Sequence, residues 1–191
     1  LYHLVFPDDT PKDKWNAGLV LRLKDFNKQI SWLNRHYCLM SLEQYMFSRE
    51  KNKTAITFDD GYSRILNLIQ PFLEKEGVLI TIFTTTSHLD DGRLLWFTYL
   101  NALCSENDYS TINIDSTTYP LSGPETRSAA WKKLIHLARE SGDPIRYVNT
   151  LQEKYPLSTE TLCMYAGLTR GQMASTAAQS RVKLGAHTHN H

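Results

Sequence analysis

Cysteine is scarce: Cys38, Cys104 and Cys163 are the three in 191 residues, and their wide separation excludes a disulfide framework or a zinc-ribbon spacing. All three read as buried or idle thiols. An excess of charge of one sign is lacking too. With 21 basic and 20 acidic residues the formal net charge is +1, so nothing draws the chain to a polyanion and nucleic acid is excluded as a default partner. A neutral or weakly charged substrate fits better. No apolar run approaches the roughly 18 residues that a membrane span needs, and no basic region leads into an apolar stretch with a small-residue cleavage site. Internal repeats and low-complexity tracts are also missing. The sequence opens on Leu1-Tyr2-His3 without a methionine and stops at His191 inside a histidine cluster, so both ends are expected to be cut.

What is present suits a folded unit. The residues are 41% hydrophobic and 11% aromatic, with Trp15, Trp32, Trp96 and Trp131 spread along the chain, which excludes global disorder. The length suits one domain or a large piece of one. Leu1 to Phe6 reads as a short buried strand, followed by a polar loop holding Pro7, Asp8, Asp9 and Pro11. From Lys24 to His36, Phe26, Ile30 and Leu33 recur at helical spacing, continued by Tyr37. Ser41 with Gln44 three residues on is a helix-start signature.

Thr54-Ala55-Ile56-Thr57-Phe58 is a β-favouring run that ends at Asp59-Asp60-Gly61, which puts two carboxylates at the carboxyl end of a strand. Tyr62 to Glu76 is helical in period, with Gly77 as terminator and Pro71 expected to bend it. Val78 to Thr84 is again a strand. This strand, helix, strand order predicts parallel pairing with a right-handed crossover, hence an α/β sheet or barrel. Between His88 and Leu168 the pattern changes. Helices are expected at Leu94 to Cys104, Glu125 to Glu140, Pro144 to Tyr155 and Thr159 to Tyr165, with a small hairpin or loop at Thr111 to Tyr119. Arg170 to Ser180 then predicts a helix, and Val182 to Ala186 a strand that ends at His187-Thr188-His189-Asn190-His191.

Asp-Asp-Gly alone is also what a plain turn uses, because Asp and Gly tolerate turn conformations. Adjacent carboxylates at a strand end can nevertheless point different ways, one toward a cation and the other free to accept a proton. Three imidazoles within five residues suit a divalent metal, and the strand before them ties the cluster to the fold rather than to added tag histidines.

Taken together, Thr57-Phe58-Asp59-Asp60-Gly61 and His187-Thr188-His189-Asn190-His191 resemble, in order, the first and second motifs of the polysaccharide deacetylases, the family 4 carbohydrate esterases. The second motif there runs His, Ser or Thr, two variable residues, His. The opening Tyr2-His3, the helix and Ser41-Leu42 segment, and Val78 to Thr84 extend the likeness. The region between the motifs resembles the subgroup with a helical segment at that place. The resemblance implies a single catalytic domain over 1–191 with an α/β fold: a partial distorted (β/α) barrel with a mainly helical insertion at about 88–168. It implies Asp59 as catalytic base and Asp60, His187 and His191 as ligands of a divalent metal, zinc being expected, while His189 falls on a variable position. An acetylated glycan is the implied substrate, losing acetyl groups, N-acetyl being expected. The family's third to fifth motifs follow the second and so fall beyond His191. The arginine that orients the base and the histidine that acts as general acid therefore have no assignment here. His3, His36, His88 and His136 do not match that motif, and the last three read as surface or satisfied core residues.

Two other readings stand beside this one. His187 and His189 form a His-x-His pair that a different metallohydrolase class could use, as in amidohydrolase-like barrels. Alternatively the chain is a catalytically degenerate module that binds glycan through aromatics such as Tyr62, Trp96 and Tyr99.

Overall fold

Alternation is weak and β-branched residues are dense in Ile80-Thr81-Ile82-Phe83-Thr84, the pattern of a parallel strand covered on both faces. The computed structural model describes residues 1–10, 21–106, 108–179 and 181–189, and within these that stretch is the central strand of a parallel sheet. In chain order the elements are β1 (Val5–Phe6), β2 (Leu21–Arg22), α1 (Leu23–His36), β3 (Cys38–Leu39), α2 (Leu42–Phe47), β4 (Lys53–Thr54), β5 (Ile56–Phe58), α3 (Ser63–Glu76) and β6 (Ile80–Thr84). A 3-10 turn at Thr86–His88 follows, then α4 (Trp96–Ser105), β7 (Thr111–Ile114), β8 (Thr117–Pro120), α5 (Pro124–Glu140), α6 (Pro144–Lys154), α7 (Thr159–Tyr165), α8 (Arg170–Ala177) and β9 (Val182–Ala186).

The chain forms two compact units, one from residues 1–10, 21–93 and 166–189, the other from 94–165. In the first, β5, β6 and β9 lie in that order, all parallel. Among the described residues no sheet closes on itself, the others being two-stranded. The register pairs Phe58 with Ile82 and Thr84 with Ala186, so β6 and β9 end level with one another while β5 ends two residues short of β6. Parallel strands place successive neighbours about 4.8 Å apart, which brings residues just past these ends within side-chain reach. Phe26 and Ile30 of α1 and Ile65, Ile69 and Leu73 of α3 are buried with Phe58 and Ile82 in one core. The Phe26 ring stands 5.2 Å from Tyr2 and 5.7 Å from Phe58.

Local signals account for the boundaries. Ser41 and Gln44 exchange both hydrogen bonds of a capping box at the start of α2. Gly77 closes α3 at φ 67°, its N–H reaching Leu73 and Glu74 carbonyls, as a left-handed helix stop requires. The helix runs through Pro71. The stretch read as one strand, Thr54 to Phe58, divides at Ala55. β4 pairs with β3, and β5 pairs with β6, a change of partner that hydropathy does not encode. The two-residue strands β2 and β3 carry too little pattern to be foreseen. Pro11 of the expected polar loop lies outside the described residues.

The second unit is mainly helical with one antiparallel hairpin. Asp115 and Ser116 turn that hairpin with φ of 48° and 64°, the left-handed pair that a two-residue turn matching strand twist needs. Tyr99, Leu100 and Leu103 of α4, Leu134 of α5 and Ile112 of β7 are fully buried. The Tyr99 hydroxyl donates to the Tyr155 carbonyl at 3.0 Å, and Arg127 donates to the Cys104 and Glu106 carbonyls at 2.7 Å each, satisfying main-chain oxygens at the end of α4.

Candidate active site

β5 delivers the acidic pair. The Asp59 N–H donates to the Tyr2 carbonyl, and the Tyr2 N–H to the Thr57 carbonyl, each at 2.9 Å, so the opening residues of the chain fix the main chain beneath Asp59. The Asp59 side chain is half-buried, whereas Asp60 is only 2% exposed. Asp60 and Gly61 adopt φ of 69° and 72°. A non-glycine residue in that region stores on the order of 1 kcal/mol, least for Asp and Asn, and keeps it only where surrounding contacts hold it. Here they do. The Leu168 N–H donates to the Gly61 carbonyl at 2.8 Å and the Ser63 N–H to the Ala166 carbonyl at 2.9 Å, while Thr85 N–H reaches the Asp60 carbonyl at 3.4 Å. A Cβ on Gly61 would meet Thr84 Cγ2 at 2.7 Å, so both torsion and space demand glycine there.

β9 delivers the imidazole. The His187 N–H donates to the Thr84 carbonyl at 3.0 Å, which extends the β6 ladder by one residue and turns the side chain toward the acidic pair. His187 Nε2 lies 3.9 Å from Asp60 Oδ1. His189 goes elsewhere: its exposed ring places Nδ1 2.9 Å from Thr86 Oγ1. The two imidazoles of the His-x-His alternative thus have different partners. His191 lies outside the described residues, and among those residues no group of three or more His, Cys, Asp or Glu forms a metal site. The aromatics of the glycan-binding alternative are mostly not surface platforms, since Tyr62 and Tyr99 are 4% and 1% exposed; Trp96 is half-buried.

Around Asp60 stand residues outside the two motifs, among them His88, which the sequence places on the surface or as a satisfied core residue. Thr84, Thr85 and His88 are each no more than 1% exposed. Thr84 Oγ1, Thr85 Oγ1 and His88 Nε2 have no hydrogen-bond partner among the described residues. Buried polar atoms nearly always pair, and exceptions gather where a fold serves a ligand or reaction. Burial pushes the His88 imidazole below the usual histidine value, against the charges of Asp60 and Asp91 and a hydrogen bond with the Asp60 main chain. His36 and His136 are exposed, as a surface reading expects. The signal for His88 was the polar run Thr84-Thr85-Thr86-Ser87-His88 directly after a strand, at the sheet edge where the acidic pair also ends.

Comparison with known proteins extends this geometry. The polysaccharide deacetylase family matches residues 48–191, a span that holds both the acidic pair and the histidine cluster. No curated protein matches the chain. A solved structure of a de-N-acetylase from Aggregatibacter actinomycetemcomitans is 19% identical, over 63% of this chain and 43% of that one, with a TM-score of 0.37. The chain therefore spans less than half the length of that protein. Because the family match takes in most of the sequence and reaches across β5, β6 and β9, the chain belongs to the polysaccharide deacetylase family.

Proposed function

We propose that this chain carries the metal-binding half of a hydrolase that removes acetyl groups from an acetylated polysaccharide or oligosaccharide, N-acetyl groups in particular. The observation that carries this reading is the approach of Asp60 Oδ1 to within 3.9 Å of His187 Nε2 from the ends of two different strands. Two donors that share a small divalent ion at about 2.0–2.2 Å each stand no more than about 4.4 Å apart, so the pair fits a common cation. A carboxylate oxygen and an imidazole nitrogen are donors that zinc accepts. Asp60 and His187 would hold the ion, with His191 as third ligand on the strength of the family motif. On the same reading β5, β6 and β9 are part of a distorted (β/α) barrel, and the helical unit at 94–165, inside the expected span of 88–168, is an insertion in one catalytic domain.

A divalent cation bound there supplies Lewis acidity for the acetyl carbonyl and lowers the pKa of water. On the strength of the family motif, Asp59 is the residue that moves the proton. Its carboxylate accepts a proton as the water oxygen bonds the carbonyl carbon. The carbon–nitrogen bond then breaks and the nitrogen takes up a proton, giving acetate and a sugar amine. In the family the acid for that last transfer belongs to a motif after the second.

The division of labour is open to a direct test with zinc binding by calorimetry and acetate release from an acetylated oligosaccharide by the protein carrying the later motifs. Asp60→Ala and His187→Ala are expected to weaken zinc binding at least about tenfold, since each removes a ligand. Asp59→Ala should leave zinc bound and lower the rate about 10²–10⁴-fold, the usual worth of a general base. Loss of zinc by Asp59→Ala with retention by Asp60→Ala would refute the assignment.

A further inference from the structure

His88 has no part in the chemistry above, yet it is packed on the strip that is hydrogen-bonded to the turn after Asp60. The ring ends the 3-10 turn after β6 and is 1% exposed. It lies directly on Gly167: a Cβ added there would stand 2.2 Å from His88 Cγ and Nδ1 and 2.5 Å from Cε1. Contacts that short do not occur, so residue 167 is a glycine because of this ring.

The strip 166–168 is laced on both sides of it. Gly167 N–H donates to the Gly92 carbonyl at 3.1 Å, and Gly92 N–H to the His88 carbonyl at 2.7 Å. On the other side Gly167 bridges to Tyr62, flanked by the Leu168–Gly61 and Ser63–Ala166 hydrogen bonds. The imidazole therefore packs on the strip whose hydrogen bonds to Gly61 and Ser63 flank the left-handed turn at Asp60, and the Asp60 carboxylate and main chain both favour its charged form. Side chains that orient a ligand rather than bind the metal occupy such places in metal sites, and their loss typically weakens the metal about 10–100-fold.

We propose that His88 is a positioning residue whose imidazole, seated on Gly167, holds the strip 166–168 against the turn that aims the Asp60 carboxylate at His187. The inference rests on Asp60 being a metal ligand, as proposed above. Its prediction differs from that of a packing role. His88→Leu keeps most of the volume and loses the polar ring nitrogens. His88→Asn keeps a polar amide near the position of Nδ1, while Nε2 has no hydrogen-bond partner among the described residues.

Zinc alone is titrated into the full chain by calorimetry, with metal-free thermal unfolding recorded beside it. His88→Leu is expected to bind zinc about 10–100-fold more weakly, and His88→Asn to restore affinity to within a few-fold of the unaltered chain. Unchanged zinc affinity in His88→Leu, or an equal loss in His88→Leu and His88→Asn, would overturn the proposal. Should His88→Leu not fold, His88→Asn decides it: near-unaltered affinity supports the role and loss refutes it. Asp60→Ala run in parallel separates the two levels. If Asp60→Ala keeps zinc, the metal site itself is wrong; if it loses zinc while His88→Leu does not, only the role of His88 falls.

Discussion

Two glycines in left-handed conformation differ in what surrounds them. Gly77, at φ 67°, has nothing within 4 Å of an added Cβ, whereas at Gly61, at φ 72°, that atom would strike Thr84. Gly77→Ala should therefore cost only the torsional term, about 1 kcal/mol, while Gly61→Ala adds a displacement of buried neighbours and should cost about 3 kcal/mol. Urea unfolding would read this as two unequal shifts of midpoint at constant slope. Equal shifts would mean that Thr84 yields freely. At this scale the sequence could be read in two ways, as a plain turn or as part of a site. Asp-Asp-Gly is a turn by its torsions, and the same torsions put the Asp60 carboxylate beside His187. Nothing in the sequence tells that Thr84 would be the side chain beneath Gly61, because that contact depends on the register of two strands.

Helices were legible wherever a cap and a period agreed. Ile65, Leu66, Ile69 and Leu73 of α3 are all buried, and the Ser41 box opens α2 where the motif places it. For a six-residue helix with no buried residue, the cap is a large share of what holds it. Ser41→Ala should cost about 1 kcal/mol, within the usual range for a lost cap, and circular dichroism with urea unfolding would report it. Strands were less legible. Parallel pairs need only two or three residues to register, so β2 and β3 lie below any periodicity, and the partner switch at Ala55 leaves no mark in hydropathy. The polar run from Thr84 to His88 is ambiguous for a related reason. Threonine, serine and histidine after a strand describe an ordinary loop as well as a site, and burial decides between them.

For the molecule as a whole, the scarcity of thiols becomes a probe. Cys38 and Cys163 are exposed and Cys104 is buried, its thiol pushed up by burial to about 12 against the opposing charge of Arg127. Thiolate is the reacting form, so a disulfide reagent at neutral pH should modify two thiols of the native protein quickly and Cys104 only as the 94–165 unit opens. Three fast thiols would contradict the burial of α4. No helix among the described residues is long and apolar enough to cross a membrane. Of the candidate site, the strand-end placement of Asp59, Asp60 and His187 was legible because two motifs sat behind two β-favouring runs; the 3.9 Å approach of Asp60 to His187 was not, since it depends on the register of three strands. That same pairing sets an order in time. Thr86 and Thr188 meet across 102 positions of the chain, and long-range parallel pairing is slow because loop closure precedes its reward. A nascent chain leaving the ribosome holds its aspartates ready while the whole helical unit is still being made, and the imidazole that completes the pair arrives last.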